Sequence, residues 1–452
     1  MGKRSVLFIT LTLVLSSAAL TSFANAQTDI YDEITADTIW SIAGSPYVLS
    51  SHVIVGENVT LTIEPGVTVD LAGFYLQVEG TLNAVGNSSN PIKFESQPAN
   101  AEIIFESSST PFNADDNSGC IIENAEINAE ISINGSAPII SKCQIKGGIT
   151  ITQAAPTITH NNLSEGNATY AINIQQESAP TITSNTITGK TVGISFNLLN
   201  NGYTDNAYNA NVENNAIIDC ETGIGIGEGE GTILVYGNLI YGSNVAIRNV
   251  NSSATVNVEF NLIMNNTYGI DVGAQLNIQE NTIYNNTVGI YYQTVAQSLI
   301  CYNNIMNNTL YNFETTTSTD LEAVYNYWGT QDIPTINQTI YDKNNNESLG
   351  TIQYLPALDS PYADAPIIPN VNMNPTTTPT PTNTPIQTPT QTLQPTPTKT
   401  ATPTPTQVTQ GSFGVIEIGI IALLSIVIAI TLIIAYKKGG KKHSPSESKT
   451  IQ

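Results

Sequence analysis

Positive charge is scarce in this chain of 452 residues: 14 lysines and arginines stand against 37 aspartates and glutamates, a net charge of −23. Between Gln27 and Tyr362 only Lys93, Lys142, Lys146, Lys190, Arg248 and Lys343 are basic. So acidic a surface repels phosphates, which excludes nucleic acid as a partner. Histidine is limited to His52, His160 and His443, and the four cysteines, Cys120, Cys143, Cys220 and Cys301, form no CxxC. Zinc-site spacing is therefore absent, and no metal or other cofactor is expected beyond weak surface calcium.

What the chain has in abundance is asparagine in phase with isoleucine. The pattern Asn, any residue, then Ile or Leu returns at Asn161-Asn162-Leu163, Asn185-Thr186-Ile187, Asn215-Ala216-Ile217, Asn238-Leu239-Ile240, Asn261-Leu262-Ile263, Asn281-Thr282-Ile283 and Asn303-Asn304-Ile305, and closes on Asn326-Tyr327-Trp328. Its third positions lie 24, 30, 23, 23, 20, 22 and 23 residues apart. A period near 22 with short β-prone runs signals a solenoid, whose repeats bury their apolar side by stacking on one another. Two further elements keep the same phase: Ala-Pro-x-Ile at Ala137, Ala155 and Ala179, and a Gly/Ala-Ile strand from Gly148-Ile149 to Gly289-Ile290. Each coil should hold two or three short parallel strands with Ile, Leu and Val inside. An asparagine at one corner of every coil can pass amide hydrogen bonds along the tube, so the ladder reads as structure and not as a row of ligands. In such a tube distant cysteines cannot meet. Cys120 with Cys143 is the one pair about a coil apart, and buried free thiols are the expected state.

Strand signals also fill the stretch before the ladder, at Tyr47-Val48-Leu49, Val53-Ile54-Val55, Leu61-Thr62-Ile63, Val67-Thr68-Val69 and Leu76-Gln77-Val78. Val59-Thr60-Leu61-Thr62-Ile63-Glu64-Pro65-Gly66-Val67, then Gly80-Thr81-Leu82-Asn83-Ala84 and Pro91-Ile92-Lys93-Phe94, resemble the N-terminal coils of right-handed parallel β-helix surface proteins of the pectin-lyase-like class with NosD-like repeats. Tyr325-Asn326-Tyr327-Trp328-Gly329-Thr330 through Leu349–Pro356 is similar to the closing coil and cap of that family, with Trp328 plugging the tube end. The resemblance implies an all-β, right-handed parallel β-helix over residues 27–365.

Long apolar runs occur only near the two ends. Residues 1–26 carry Lys3 and Arg4, an apolar run from Val6 to Leu20 and Ala24-Asn25-Ala26, the pattern of a secretory signal peptide. Residues 366–411 turn to Thr-Pro repeats without an acidic residue, which predicts a disordered, extended stalk. Residues 412–436 are long and apolar enough for one transmembrane helix, and the lysines of 437–452 place that tail in the cytoplasm. The expected address is the cell membrane, single-pass, with the β-helix outside. Stalk, helix and lysine tail together resemble cell-surface proteins of archaea, methanogens in particular.

Chemistry is harder to find. A lyase needs a base and a hydrolase two placed carboxyls. Asp115-Asp116, Glu228-Gly229-Glu230 and Arg248 are the candidates, and none has a histidine or basic cluster beside it. Tyr203 and Tyr208, in the insertion Phe196–Asn214 that lengthens one step to 30 residues, are candidates for stacking sugars, as are Tyr291 and Tyr292. N-glycosylation sequons stand at Asn58, Asn87, Asn134, Asn162, Asn167, Asn251, Asn265, Asn285, Asn307, Asn337 and Asn346, with Asn265, Asn285 and Asn307 in one column two residues after the repeat's Ile. The expected role is an adhesive, carbohydrate-binding or envelope-structural module with polysaccharide or an envelope glycoprotein as partner. A polysaccharide lyase or glycoside hydrolase is the competing reading.

Overall fold

A computed structural model describes residues 27–96, 101–164, 166, 168–198 and 209–368. Residues 1–26, 369–452, Asn167, Tyr203 and Tyr208 lie outside the described residues, and with them the signal peptide, transmembrane helix, lysine tail and nearly all of the stalk. Among the described residues no helix is long and apolar enough to cross a membrane.

Three parallel sheets of 13, 13 and 12 strands wind as a solenoid, right-handed as parallel crossovers are. Strands such as Thr186–Thr188, Val192–Leu198 and Asn209–Glu213 follow one another round a coil and belong to the first, second and third sheet in turn. The period-2 alternation of Thr-Ile-Thr puts Ile182 and Ile187 inside and threonines outside. Each coil then pairs with the next in register, Ile187 with Ile217, Ile217 with Ile240 and Ile240 with Ile263. These side chains are fully buried, each worth about 1.5–3 kcal/mol of burial. Twelve steps along the first sheet make it roughly 58 Å long.

The corners explain the asparagines. The residue before each ladder position has positive φ: Asn124, Lys142, His160, Ser184, Asn214, Gly237, Phe260, Glu280, Tyr302 and Tyr325. That left-handed step costs a non-glycine residue roughly 1–2 kcal/mol. It bends the chain from the third sheet into the first and turns the next side chain inward. Each ladder amide then accepts, at 2.9 Å, the backbone N–H of its counterpart one coil earlier, from Asn161 N on Asn185 Oδ1 to Asn303 N on Asn326 Oδ1. Its Nδ2 donates onward to the next amide oxygen and back to a backbone carbonyl, as Asn238 does to Asn261 Oδ1 and Val212 O. The ladder runs unbroken over eight coils, with Cys143 and Ala125 holding the same place in the coils before it.

A second ladder occupies the corner between the first and second sheets. Ser243, Asn266, Asn286, Asn308 and Asn312 hand the same bonds along. Sequence reasoning missed it, because in Asn265-Asn266-Thr267 and its two repeats attention falls on the first asparagine, the sequon. The first is the left-handed residue, with φ of +54° to +59° at Asn265, Asn285 and Asn307, and the second is the buried ladder amide. Packing beside this ladder is tight: a Cβ on Gly289 would sit 2.5 Å from Asn312 O and 2.8 Å from Asn308 Nδ2.

Both ends are closed. Trp40 stacks on Tyr47 at 4.9 Å in the first coils. At the other end Trp328 is buried beside Tyr354, as expected of a plug. The helix Ile333–Gln338, capped by the Asp332 carboxylate on Thr335 N, adds Ile336 to the core. This helix departs from the all-β expectation; Pro334 so near its start and a length of six residues leave no helical period to read.

Beyond the cap the chain turns back as a strap across the outer face of the first sheet. Asn304 takes Tyr362 by both backbone groups, Oδ1 from N at 2.7 Å and Nδ2 to O at 3.2 Å. Thr282 Oγ1 donates to Pro366 O, and Tyr362 Oη donates to Glu280. Ala365 and Ile368 are buried, so ordered structure continues three residues past the boundary at 365.

The four cysteines are free and buried. Cys120 and Cys143 do not pair because Cys120 precedes a third-sheet strand (Ile121–Glu123) and Cys143 follows one (Ile139–Ser141), which puts them at different corners. Burial pushes the Cys143 thiol up to about 12.

Candidate functional site

Outward positions of the second sheet form continuous columns, because every coil pairs with the next without slipping over the last five coils. One column reads Arg248, Asp271, Tyr291, Glu314 and Tyr341, and the column at the strand starts reads Val245, Tyr268, Val288 and Tyr311, its two valines buried. The repeat thus brings together residues up to 93 positions apart in sequence.

Arg248 Nε donates to Asp271 Oδ2 at 2.8 Å. The other Asp271 oxygen accepts from Gln293 Nε2, and the Asp271 side chain is only 7% exposed. Next along the column, the ring of Tyr291 lies 5.1 Å from that of Tyr268. Burial, then the Glu314, Tyr268 and Asp271 charges around it, raises the Tyr291 hydroxyl above its usual range. Glu314 follows, its carboxyl also raised by burial, which penalises the charged form. Tyr311 and Tyr341 then meet at 5.1 Å. All four rings are half-buried: their bodies are held by the sheet and their edges face solvent.

This face holds two of the residues singled out in the sequence, Arg248 and Tyr291, two coils apart. Of the other described candidates, Glu228 shares this sheet, near the end of the strand beside that of Arg248, and the rest lie off the face. Asp115 and Asp116 sit in an exposed turn after the strand Glu102–Phe105, six strands along the second sheet from Arg248, which is roughly 29 Å. Their local bonds, Asp115 N to Asn113 and Ser118 Oγ to Asp116, are those of the turn itself. Glu228 accepts from Asn251. Among the described residues no group of three metal-ligating side chains occurs. Tyr292 must be corrected: it is fully buried, its hydroxyl donating toward Ala296 O and Ser298 Oγ, because the residue after an outward strand position points inward. Tyr268, Glu314, Tyr311 and Tyr341 were missed, although Tyr268-Gly269-Ile270-Asp271, Val288-Gly289-Ile290-Tyr291 and Tyr311-Asn312-Phe313-Glu314 align in the sequence once the coil phase is applied.

The sequons divide by exposure. Asn58, Asn87, Asn251, Asn285, Asn307, Asn337 and Asn346 are exposed, while Asn134, Asn162 and Asn265 are half-buried. The hydroxyl-bearing Ser136 of the Asn134 sequon is buried against Ser109. Thr267, Thr287 and Thr309, which complete the column of three, are all exposed. A groove of about 420 Å³ on the first sheet is lined by Lys93, Glu126, Gln144 and Lys146 among others, with Lys93 and Glu126 paired at 3.5 Å.

A family model described as right handed beta helix region matches residues 102–263. No curated protein matches the chain. No solved structure matches it.

Proposed function

We propose that this protein is a carbohydrate-binding β-helix module whose recognition face is the outer second sheet over its last coils. The observation that carries this reading is the set of four fixed tyrosine rings set among Arg248, Asp271, Glu314 and Gln293. Rings offer apolar platforms to sugar faces, and flanking carboxylate and amide groups offer partners to hydroxyls. The β-helix match supports a carbohydrate-related or surface protein in general.

Binding is favoured over turnover for a chemical reason. A glycosidase needs two available carboxyls, and Asp271 has both oxygens engaged, leaving Glu314 alone on this face. Arg248, the one arginine between Gln27 and Tyr362, is committed to Asp271 and is no free base for a lyase. The signal-peptide pattern, Thr-Pro stretch, apolar run and lysine tail support an exported, membrane-anchored and glycosylated protein of the archaeal surface type.

Retention of the full-length protein on immobilised polysaccharides, lost in Tyr291→Ala and in Tyr311→Ala, is the expected result. Retention that neither variant changes would remove the site from this face. Release of unsaturated or reducing sugar ends, abolished by Asp115→Asn, Asp116→Asn or Glu314→Gln, would replace the reading with an enzymatic one. Protease treatment of intact cells checks the address, since the ectodomain should be shed.

A further inference from the structure

The outer second sheet carries a period of its own, longer than the coil. Coil by coil it presents Tyr268 with Asp271, Val288 with Tyr291, Tyr311 with Glu314, and then Tyr341. A tyrosine-and-acid coil thus alternates with a coil whose tyrosine stands in the acid's column. The rings pair across the step between coils, and the two pairs share one geometry. Tyr268 and Tyr291 are 5.1 Å apart and inclined 47°; Tyr311 and Tyr341 are 5.1 Å apart and inclined 45°. The second pair is the first moved along the tube by two strands, roughly 9.6 Å. Single-coil repetition gives no reason for this doubling, since the core residues Ile270, Ile290 and Phe313 beneath repeat every coil.

We propose that this face binds an uncharged, β-linked linear polysaccharide lying parallel to the solenoid axis, one disaccharide for every two coils. The proposal rests on the carbohydrate reading above and narrows it. In a chain whose successive sugars are turned over by half a turn, the same face returns every second residue, over a distance close to the two-coil step. Alternate sugars would then lay equivalent faces on the two ring pairs, and the sugar between them would meet Glu314. Charge selects against acidic glycans. The protein carries −23 overall, and Arg248, within the face, is paired with Asp271. An α-linked glucan of the same composition coils and has no such repeat.

Titration calorimetry of the full-length protein with β-1,4-linked glucose oligomers of two to six units, maltohexaose and hexagalacturonate tests this. Affinity for the β-linked series should rise in one step, at the length that first spans both ring pairs, and level off beyond it. The sugars that reach the second ring pair should add roughly fivefold, as an aromatic contact of about 1 kcal/mol does. Tyr341→Ala should erase that step and leave the shorter oligomers on the first ring pair alone, whereas Tyr341→Phe, which keeps the ring, should retain it. A smooth rise with length, a preference for maltohexaose or hexagalacturonate, or no binding of the β-linked series overturns the proposal. Binding to other glycans that is lost in Tyr291→Ala would in those cases keep the carbohydrate reading alive, and loss of both would end it.

Discussion

Removing one amide from the middle of the asparagine ladder is the sharpest test of what holds the tube together. Asn238 is 1% exposed. Its oxygen accepts from Asn215 N at 2.9 Å and Asn215 Nδ2 at 3.0 Å, and its Nδ2 donates to Val212 O at 2.8 Å and to Asn261 Oδ1 at 3.0 Å. Asn238→Ala leaves the Asn215 backbone N–H without an acceptor and takes one partner each from Asn215 Nδ2 and Val212 O. Asn261 Oδ1 keeps the Asn238 backbone N–H. A buried group without its partner costs about 1–3 kcal/mol. The orphaned N–H, with two further groups each losing a bond worth about 1 kcal/mol, brings the expected loss to about 3–5 kcal/mol. Asn161, at the start of the ladder, serves only the Cys143 N–H on its acceptor side, so Asn161→Ala should cost less, about 2 kcal/mol. Urea midpoints rank the variants, and amide exchange should show the Asn238 loss centred on the coils of Asn215 and Asn261. If Asn238→Ala behaves like the exposed Asn346→Ala, within about 0.5 kcal/mol, the ladder is decoration and the reasoning fails.

Four other outcomes follow from particular side chains. Cys143, its thiol raised to about 12 by burial, should resist iodoacetamide at pH 8 in the folded protein and react fully in denaturant; fast native labelling would contradict its burial. Arg248→Ala should destabilise by about 2–4 kcal/mol, since it strands the buried Asp271 carboxylate with Gln293 alone, and Asp271→Asn in the same background should recover part of the loss in a double-mutant cycle. Glu314 has a folded pKa above its unfolded one. Its contribution is therefore full below the ordinary carboxylate range and lost as pH rises through the folded value. Glu314→Gln should accordingly raise the melting temperature modestly at pH 7 and leave it unchanged near pH 3, as thermal scans at the two pH values would show. Gly289→Val should lower stability more than Val288→Ala, because its Cβ meets the Asn312 carbonyl and the Asn308 amide.

The solenoid was legible because its physics is periodic. The Asn-x-Ile phase gives the inward isoleucines, the corner amides and the coil spacing at once, and Ile187, Ile217, Ile240 and Ile263 do pair in one register. What escaped is either aperiodic or of another period. The Ile333–Gln338 helix is a single capped turn and a half with proline near its start. The strap depends on Asn304 and Thr282, two outward strand residues that read as solvent-facing until a later segment covers them. The aromatic face was half visible: Tyr291 stood out, but it was joined to Tyr292 by adjacency, which in a strand is the one relation that sends two side chains to opposite sides. Its true neighbours, Tyr268 and Glu314, are each 23 residues away in sequence and adjacent only across coils.

The strap also decides how the tube would answer a pull. A load applied to the chain beyond Ile368 reaches the flank of the first sheet before it reaches the cap. It would meet the strap's contacts one after another, the Thr282 bond to Pro366 first and the paired bonds of Asn304 to Tyr362 next, an unzipping geometry that yields at low force. The ten residues from Asp359 to Ile368 would pay out roughly 34 Å of chain before tension arrived at Leu358, whose N–H is held by Asn326 O inside the last rung of the ladder. The flank would act as a shock absorber, and the core would feel the force only once that slack is spent.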